Sequence, residues 1–136
     1  MALDVGDRRI GVALSDPLGI LATPLTTIEV KNDDSSITEV LRLADKNEAS
    51  EIVVGLPLLL SGRIGEQAKR VGYFARLLSE RATIPVKTVD ERFSSFEAER
   101  LLRQSGVRLS ENKGRIDAAA AAVILQAYLD ARRPPP

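Results

Sequence analysis

Residues 2–16 read Ala2-Leu3-Asp4-Val5-Gly6-Asp7-Arg8-Arg9-Ile10-Gly11-Val12-Ala13-Leu14-Ser15-Asp16, two short apolar runs around a polar, glycine-containing turn. This pattern predicts a hairpin, with strands over 2–5 and 10–15 and the turn at 6–9. Pro17 and Gly19 mark the next turn, and residues 20–30 are expected to add a third antiparallel strand. Pro24 lies inside it without an N–H to donate, so the strand belongs at a sheet edge or starts irregularly.

Beyond this meander the hydrophobic period changes. Ile37, Val40, Leu41 and Ala44 recur at helical spacing, with Ser35 or Ser36 as the expected cap. Glu51–Gly55 is a β-branched run suited to a buried parallel strand. Ile64, Ala68, Val71, Ala75 and Leu78 predict a second helix, and Ile84–Val89 another strand, with Pro85 tolerated near its start. Ser94-Ser95-Phe96-Glu97 reads as a capping box opening a helix that stops near Gly106. A last helix spans about Arg115 to Ala131, followed by a frayed tail over 132–136. The order β-β-β-α-β-α-β-α-α implies one α/β domain over 1–136. Its sheet should be five-stranded and mixed, three antiparallel strands then two parallel, with helices on both faces and right-handed crossovers.

Composition narrows the chemistry. The chain is 44% hydrophobic and 28% charged, ordinary for a globular domain. It has no cysteine, which excludes disulfides and thiolate metal sites, and no histidine, which removes the usual zinc ligand and neutral-pH base. No apolar run reaches membrane-spanning length and no signal-peptide pattern opens the chain, so a cytoplasmic location without membrane association is expected. Formal net charge is zero, giving no global attraction to nucleic acid. Arginine outnumbers lysine, and its planar fork suits phosphate contacts; genomic bias gives the same excess.

The acids carry the remaining signal. Asp4 lies inside a strand between Leu3 and Val5, where an aspartate is disfavoured unless partnered or functional. Asp90 and Glu91 end a parallel strand, the end at which ligands gather in open α/β sheets. Successive side chains point to opposite faces, so one of these two faces a site. Asp117 shares a helical face with Ala121, Ile124, Leu125 and Tyr128, the stripe that should pack on the sheet. An acid in the first turn complements the helix dipole, but the core-facing position is the costly one for that purpose. The small residues Ala118–Ala122 allow close helix–sheet packing, bringing Asp117 towards the strand acids. Converging carboxylates without histidine suit Mg²⁺ or Mn²⁺, and a pair of such ions suits phosphodiester hydrolysis.

The run Asp4–Asp16 resembles the opening motif of the YqgF (RuvX) family. Val54-Gly55-Leu56-Pro57-Leu58 with Gly62 and Gly65 resembles its second motif, Asp90-Glu91-Arg92-Phe93-Ser94-Ser95 its third, and Lys113 with Ile116-Asp117-Ala118-Ala119 its last. The resemblance implies a ribonuclease H-like fold related to Holliday-junction resolvases. It also implies a nuclease role in maturing the 5′ end of small-subunit ribosomal RNA. By resemblance the catalytic and metal-holding acids are Asp4, Glu91 and Asp117; from its place on a central strand Asp4 is expected to bridge a two-metal site, with Glu91 and Asp117 holding one ion each. Arg92 and Lys113 become candidates for phosphate contact, joined by Arg115 and by Arg8 and Arg9 at the hairpin tip. Two positions depart from the pattern: Ser61 stands where the family often has an acid, and Ala120 where related junction resolvases have another.

Two rivals follow. A DNA junction resolvase should be a stable homodimer, since paired cuts need two sites; an RNA nuclease is free to be a monomer. A non-catalytic module binding nucleic acid, a ribosome component or a transcription factor should tolerate loss of Asp117 but not charge reversal at Arg92 or Lys113. The alternative of an actin-like ATPase needs two such domains around a nucleotide, and the chain has length for one.

Overall fold

A computed structural model describes residues 1–59, 61–91 and 113–132, the side chains of the last segment from 116 onward. The strands are β1 (Ala2–Val5), β2 (Arg9–Ser15), β3 (Ala22–Glu29), β4 (Ile52–Leu56) and β5 (Val86–Asp90). The helices are α1 (Asp33–Lys46), α2 (Glu66–Arg81) and α3 (Lys113–Arg132). The expected helix over 94–106 lies outside the described residues, as do Arg92 and residues 133–136.

The sheet order is β3-β2-β1-β4-β5. β1 pairs antiparallel with β2, as the hairpin reading requires, and parallel with β4, so the strand carrying Asp4 is central. β3 is an edge strand, where Pro24 is tolerated opposite Ala13, next to a register shift between Val12 and Ala13.

Alternation along the strands sorts their side chains to two faces. Leu3, Ile10, Val12, Ile52 and Val54 pack with Ile37, Val40 and Leu43 of α1 and Val71, Phe74 and Leu78 of α2. Ala2, Ala13 and Val53 pack with Ala121, Ile124 and Leu125 of α3 on the other face. Small residues on both sides of that second interface let α3 lie close to the sheet.

Several element ends differ from expectation for local reasons. Asn32, not Ser35 or Ser36, caps α1; its extended backbone lets the side chain accept the Ser35 N–H at 2.8 Å. Ser36 is buried instead. The second helix starts after Gly65, leaving Ile64 outside it and 61% exposed. α3 is helical as far as Arg132, the last described residue, and Arg132 is tied to Glu51 just before β4. Tyr128 donates to Glu51 at 3.2 Å and lies under the Arg132 guanidinium at 5.1 Å, so this end of α3 is clamped to the sheet. Among the described residues no helix is long and apolar enough to cross a membrane.

Candidate active site

Four strands and one helix meet around Asp4. Asp4 follows Ala2 on the face that packs against α3, and its cross-strand partner on β2 is Gly11. A Cβ at Gly11 would lie 1.9 Å from the Asp117 carbonyl oxygen, so the bare glycine lets α3 press its backbone onto β2 beside Asp4. On the other side, β4 contributes Gly55, opposite Val89 of β5. A Cβ there would lie 2.4 Å from Oε2 of Glu91 and 2.5 Å from Cδ1 of Ile124. One glycine on each strand flanking β1 thus hollows the site.

Parity puts Asp90 and Glu91 on different sides of the sheet. Asp90 pairs with Leu56 and is exposed, whereas Glu91 follows Val89 on the α3 side. The Glu91 N–H donates to the Leu56 carbonyl at 3.1 Å, extending the β4–β5 pairing by one residue and fixing where its side chain begins.

The Glu91 and Asp4 carboxyls lie within hydrogen-bonding reach, an arrangement that needs one shared proton or a cation. Burial, the Asp4 charge and the Asp4 contact together push Glu91 up to about 9. Burial also raises Asp4, and the charge of Asp117 adds to it, while the contact with Glu91 works the other way. Oε2 of Glu91 is buried with no hydrogen-bond partner among the described residues. Buried acids crowded this way are costly unless positive charge enters.

Asp117 is nearby but differently engaged. α3 is already helical at Lys113, where the described residues resume, so Asp117 stands beyond the first turn. Its Oδ2 accepts from Nε of Arg9 at 2.8 Å. Among the described residues no three carboxylates are grouped as a ready ligand set. Arg9, expected at an exposed tip, is the first residue of β2 and shares the α3 side with Gly11 and Ala13. Arg8 is at the exposed tip. Arg92 and the side chains of Lys113 and Arg115 lie outside the described residues. Ser61 is exposed and Ala120 is buried.

The donor set fits a hard divalent cation: oxygen ligands, like charges in contact, and an unsatisfied carboxylate oxygen. A cleft of about 560 Å³ at the opposite end of the sheet does not match this chemistry. Two of its acids, Asp16 and Glu51, already have partners. Asp16 accepts from the backbone N–H groups of Leu21 and Ile20, which lower its pKa. Burial works against the Glu51 charge, but Arg132, Lys87 and the Tyr128 hydroxyl outweigh it.

Sequence reasoning missed Gly11 and Gly55 as shaping residues and Arg9 as the partner of Asp117. A glycine inside a strand was the available signal for the first two. The ion pair joins residues 108 apart and leaves no local trace.

The RuvX family model, described as Holliday junction resolvase, matches residues 1–131. A Chloroflexus aurantiacus protein named "Putative pre-16S rRNA nuclease" is 47% identical over 136 residues, covering 100% of this chain and 89% of its own. A Synechococcus protein of the same name is 45% identical over 133 residues, covering 98% and 78%. Among solved structures, Thermus thermophilus RuvC in complex with Holliday junction substrate superposes with a TM-score of 0.57 at 18% identity, covering 96% of this chain and 92% of that one. This last likeness is one of fold, the RuvC-like arrangement of the ribonuclease H type.

Proposed function

The chain belongs to the RuvX family, and on that footing we propose that it is a divalent-metal-dependent nuclease acting on structured RNA, in maturation of the 5′ end of pre-16S ribosomal RNA. The observation that carries the metal dependence is the apposed pair Asp4 and Glu91, with the buried Oε2 of Glu91 left without a partner. Asp4 and Glu91 would hold Mg²⁺ or Mn²⁺, with Asp117 completing the set. Bound there, such ions would activate a water for attack on phosphorus and stabilise the leaving oxygen.

The chain's own residues set the stage for that chemistry. Central strand β1 holds Asp4 rigidly between two paired neighbours. Gly11 and Gly55 keep side chains out of the space around it. Ile124 gives the site an apolar wall beside Gly55 on the α3 side. Arg8, at the exposed hairpin tip, together with Arg92, Lys113 and Arg115, is assigned to phosphates flanking the scissile one. Such a role places the protein in the cytoplasm, working on nucleic acid without a membrane.

The test is cleavage of a structured RNA carrying the precursor 5′ extension, alongside a four-way DNA junction, in Mn²⁺, Mg²⁺ or chelator. The expected result is RNA cleavage with either metal and none with chelator. Cleavage of the junction in preference to RNA would move the substrate to branched DNA. Salt-sensitive binding without any cleavage would leave only a binding module.

A further inference from the structure

The Arg9–Asp117 pair lies beside the apposed Asp4 and Glu91 carboxyls, and it holds the third site acid on a cation of the chain's own. The Arg9 and Asp117 side chains are 37% and 27% exposed, so the guanidinium has open solvent to move into. The backbone beneath is not free to move in the same way, because Gly11 seats the Asp117 carbonyl directly on β2. Asp117 is close enough for its charge to be felt at Asp4, yet its carboxylate is held by a cation of the chain's own.

We propose that Arg9 is a positioning residue that acts as the built-in counter-cation of Asp117, so that a divalent ion recruits Asp117 only by displacing the Arg9 guanidinium. The inference rests on the metal-dependent reading above. The physical trade is one ion pair for another. A half-exposed pair is weak and easily exchanged, whereas a dication facing several carboxylate oxygens binds each of them more strongly. Arg9 would thus keep Asp117 out of a third like-charge contact with Asp4 and Glu91 while no metal is bound. It also sets a threshold metal concentration for assembly of the complete ligand set.

The test is titration of the metal-free full chain with MnCl₂ by calorimetry, paired with the Mn²⁺-induced shift in Tm. Arg9→Met is expected to bind Mn²⁺ about fivefold more tightly than wild type, the scale of one half-exposed ion pair, and to show a larger Mn²⁺-induced rise in Tm. Arg9→Lys, which keeps the charge but loses the fork, should fall between the two; should Arg9→Met fail to fold, this variant gives the same reading. In an Asp117→Asn background the gain from Arg9→Met should vanish, since the coupling runs through that carboxylate. Equal or weaker Mn²⁺ binding by the Arg9 variants, with wild type still binding, would overturn the proposal and leave the nuclease reading intact. A gain that persists without Asp117 would overturn it as well. Absence of Mn²⁺ binding in wild type and variants alike would bring down both readings.

Discussion

Asp4→Asn should reduce metal-dependent cleavage by on the order of a thousandfold while making the metal-free protein more stable at pH 8. The first effect follows from position: Asp4 is on the central strand, in contact with Glu91 and within electrostatic range of Asp117. Removing one charged group aimed at the reacting centre typically costs 10²–10³-fold, and here it also removes a ligand shared by the set. The second effect has a definite sign. Glu91 is pushed up to about 9 from an ordinary 4.5 by burial and then by Asp4. Between those values the folded chain keeps a proton that the unfolded chain has released. The associated stability is fully present below pH 4.5 and is lost as pH rises through about 9, at no more than about 1.4 kcal/mol per pH unit. Asparagine removes the Asp4 charge from that balance, so the decline of Tm with pH should be shallower than in wild type. A melting series from pH 5 to 9 in chelator, with RNA cleavage measured in parallel, reads both effects. A variant that loses activity and also melts lower across that range would assign Asp4 a structural role instead.

Gly11→Ala should be the most damaging added methyl among the described glycines. On strand propensity alone the change would help, since glycine weakens a strand by roughly 0.5–1 kcal/mol relative to alanine. The contact decides otherwise: the new Cβ would stand 1.9 Å from the Asp117 carbonyl oxygen, 2.2 Å from its carbon and 2.8 Å from the Ala118 nitrogen. All three are backbone atoms of α3, so no side-chain rotation relieves the clash. Either α3 lifts from β2 or the strand bends. Overpacking of this kind costs about 3 kcal/mol or more, a fall in Tm on the order of 10 °C for a domain this size. Because the displaced atoms belong to Asp117 itself, activity should fall even at temperatures where the variant is folded. Gly72→Ala is the matched control. It lies within α2, nothing stands within 4 Å of its added Cβ, and it should raise stability by about 1 kcal/mol. Circular dichroism melts of both variants compare the two directly; a Gly11→Ala protein as stable and active as wild type would show that α3 does not rest on β2 as described.

The fold was largely legible because its signals are short-range. The glycine-containing turn between two apolar runs placed β1 beside β2, and the change from strand to helical period placed the crossovers. The stripe of Asp117, Ala121, Ile124, Leu125 and Tyr128 likewise followed from helical spacing, and α3 does pack that face on Ala2, Ala13 and Val53. The site was less legible because its geometry is made by register. Whether Asp90 or Glu91 turns inward depends on the pairing of Gly55 with Val89, which no local pattern states. The Arg9–Asp117 pair depends on α3 crossing β2 at Gly11, an approach visible only once the helix is docked. The α1 cap was misplaced because Ser35 and Ser36 have the right chemistry. Asn32 has it too, and its extended backbone makes it the residue that accepts the Ser35 N–H.

The central claim is that Asp4 and Glu91 are drawn together to share a divalent cation. Anomalous scattering from a crystal soaked in MnCl₂ tests it most directly. The expected result is a manganese peak within coordinating distance of both carboxylates, with Asp117 released from Arg9 and turned towards it. A map with no peak at these acids, or with manganese bound only elsewhere on the surface, would contradict it.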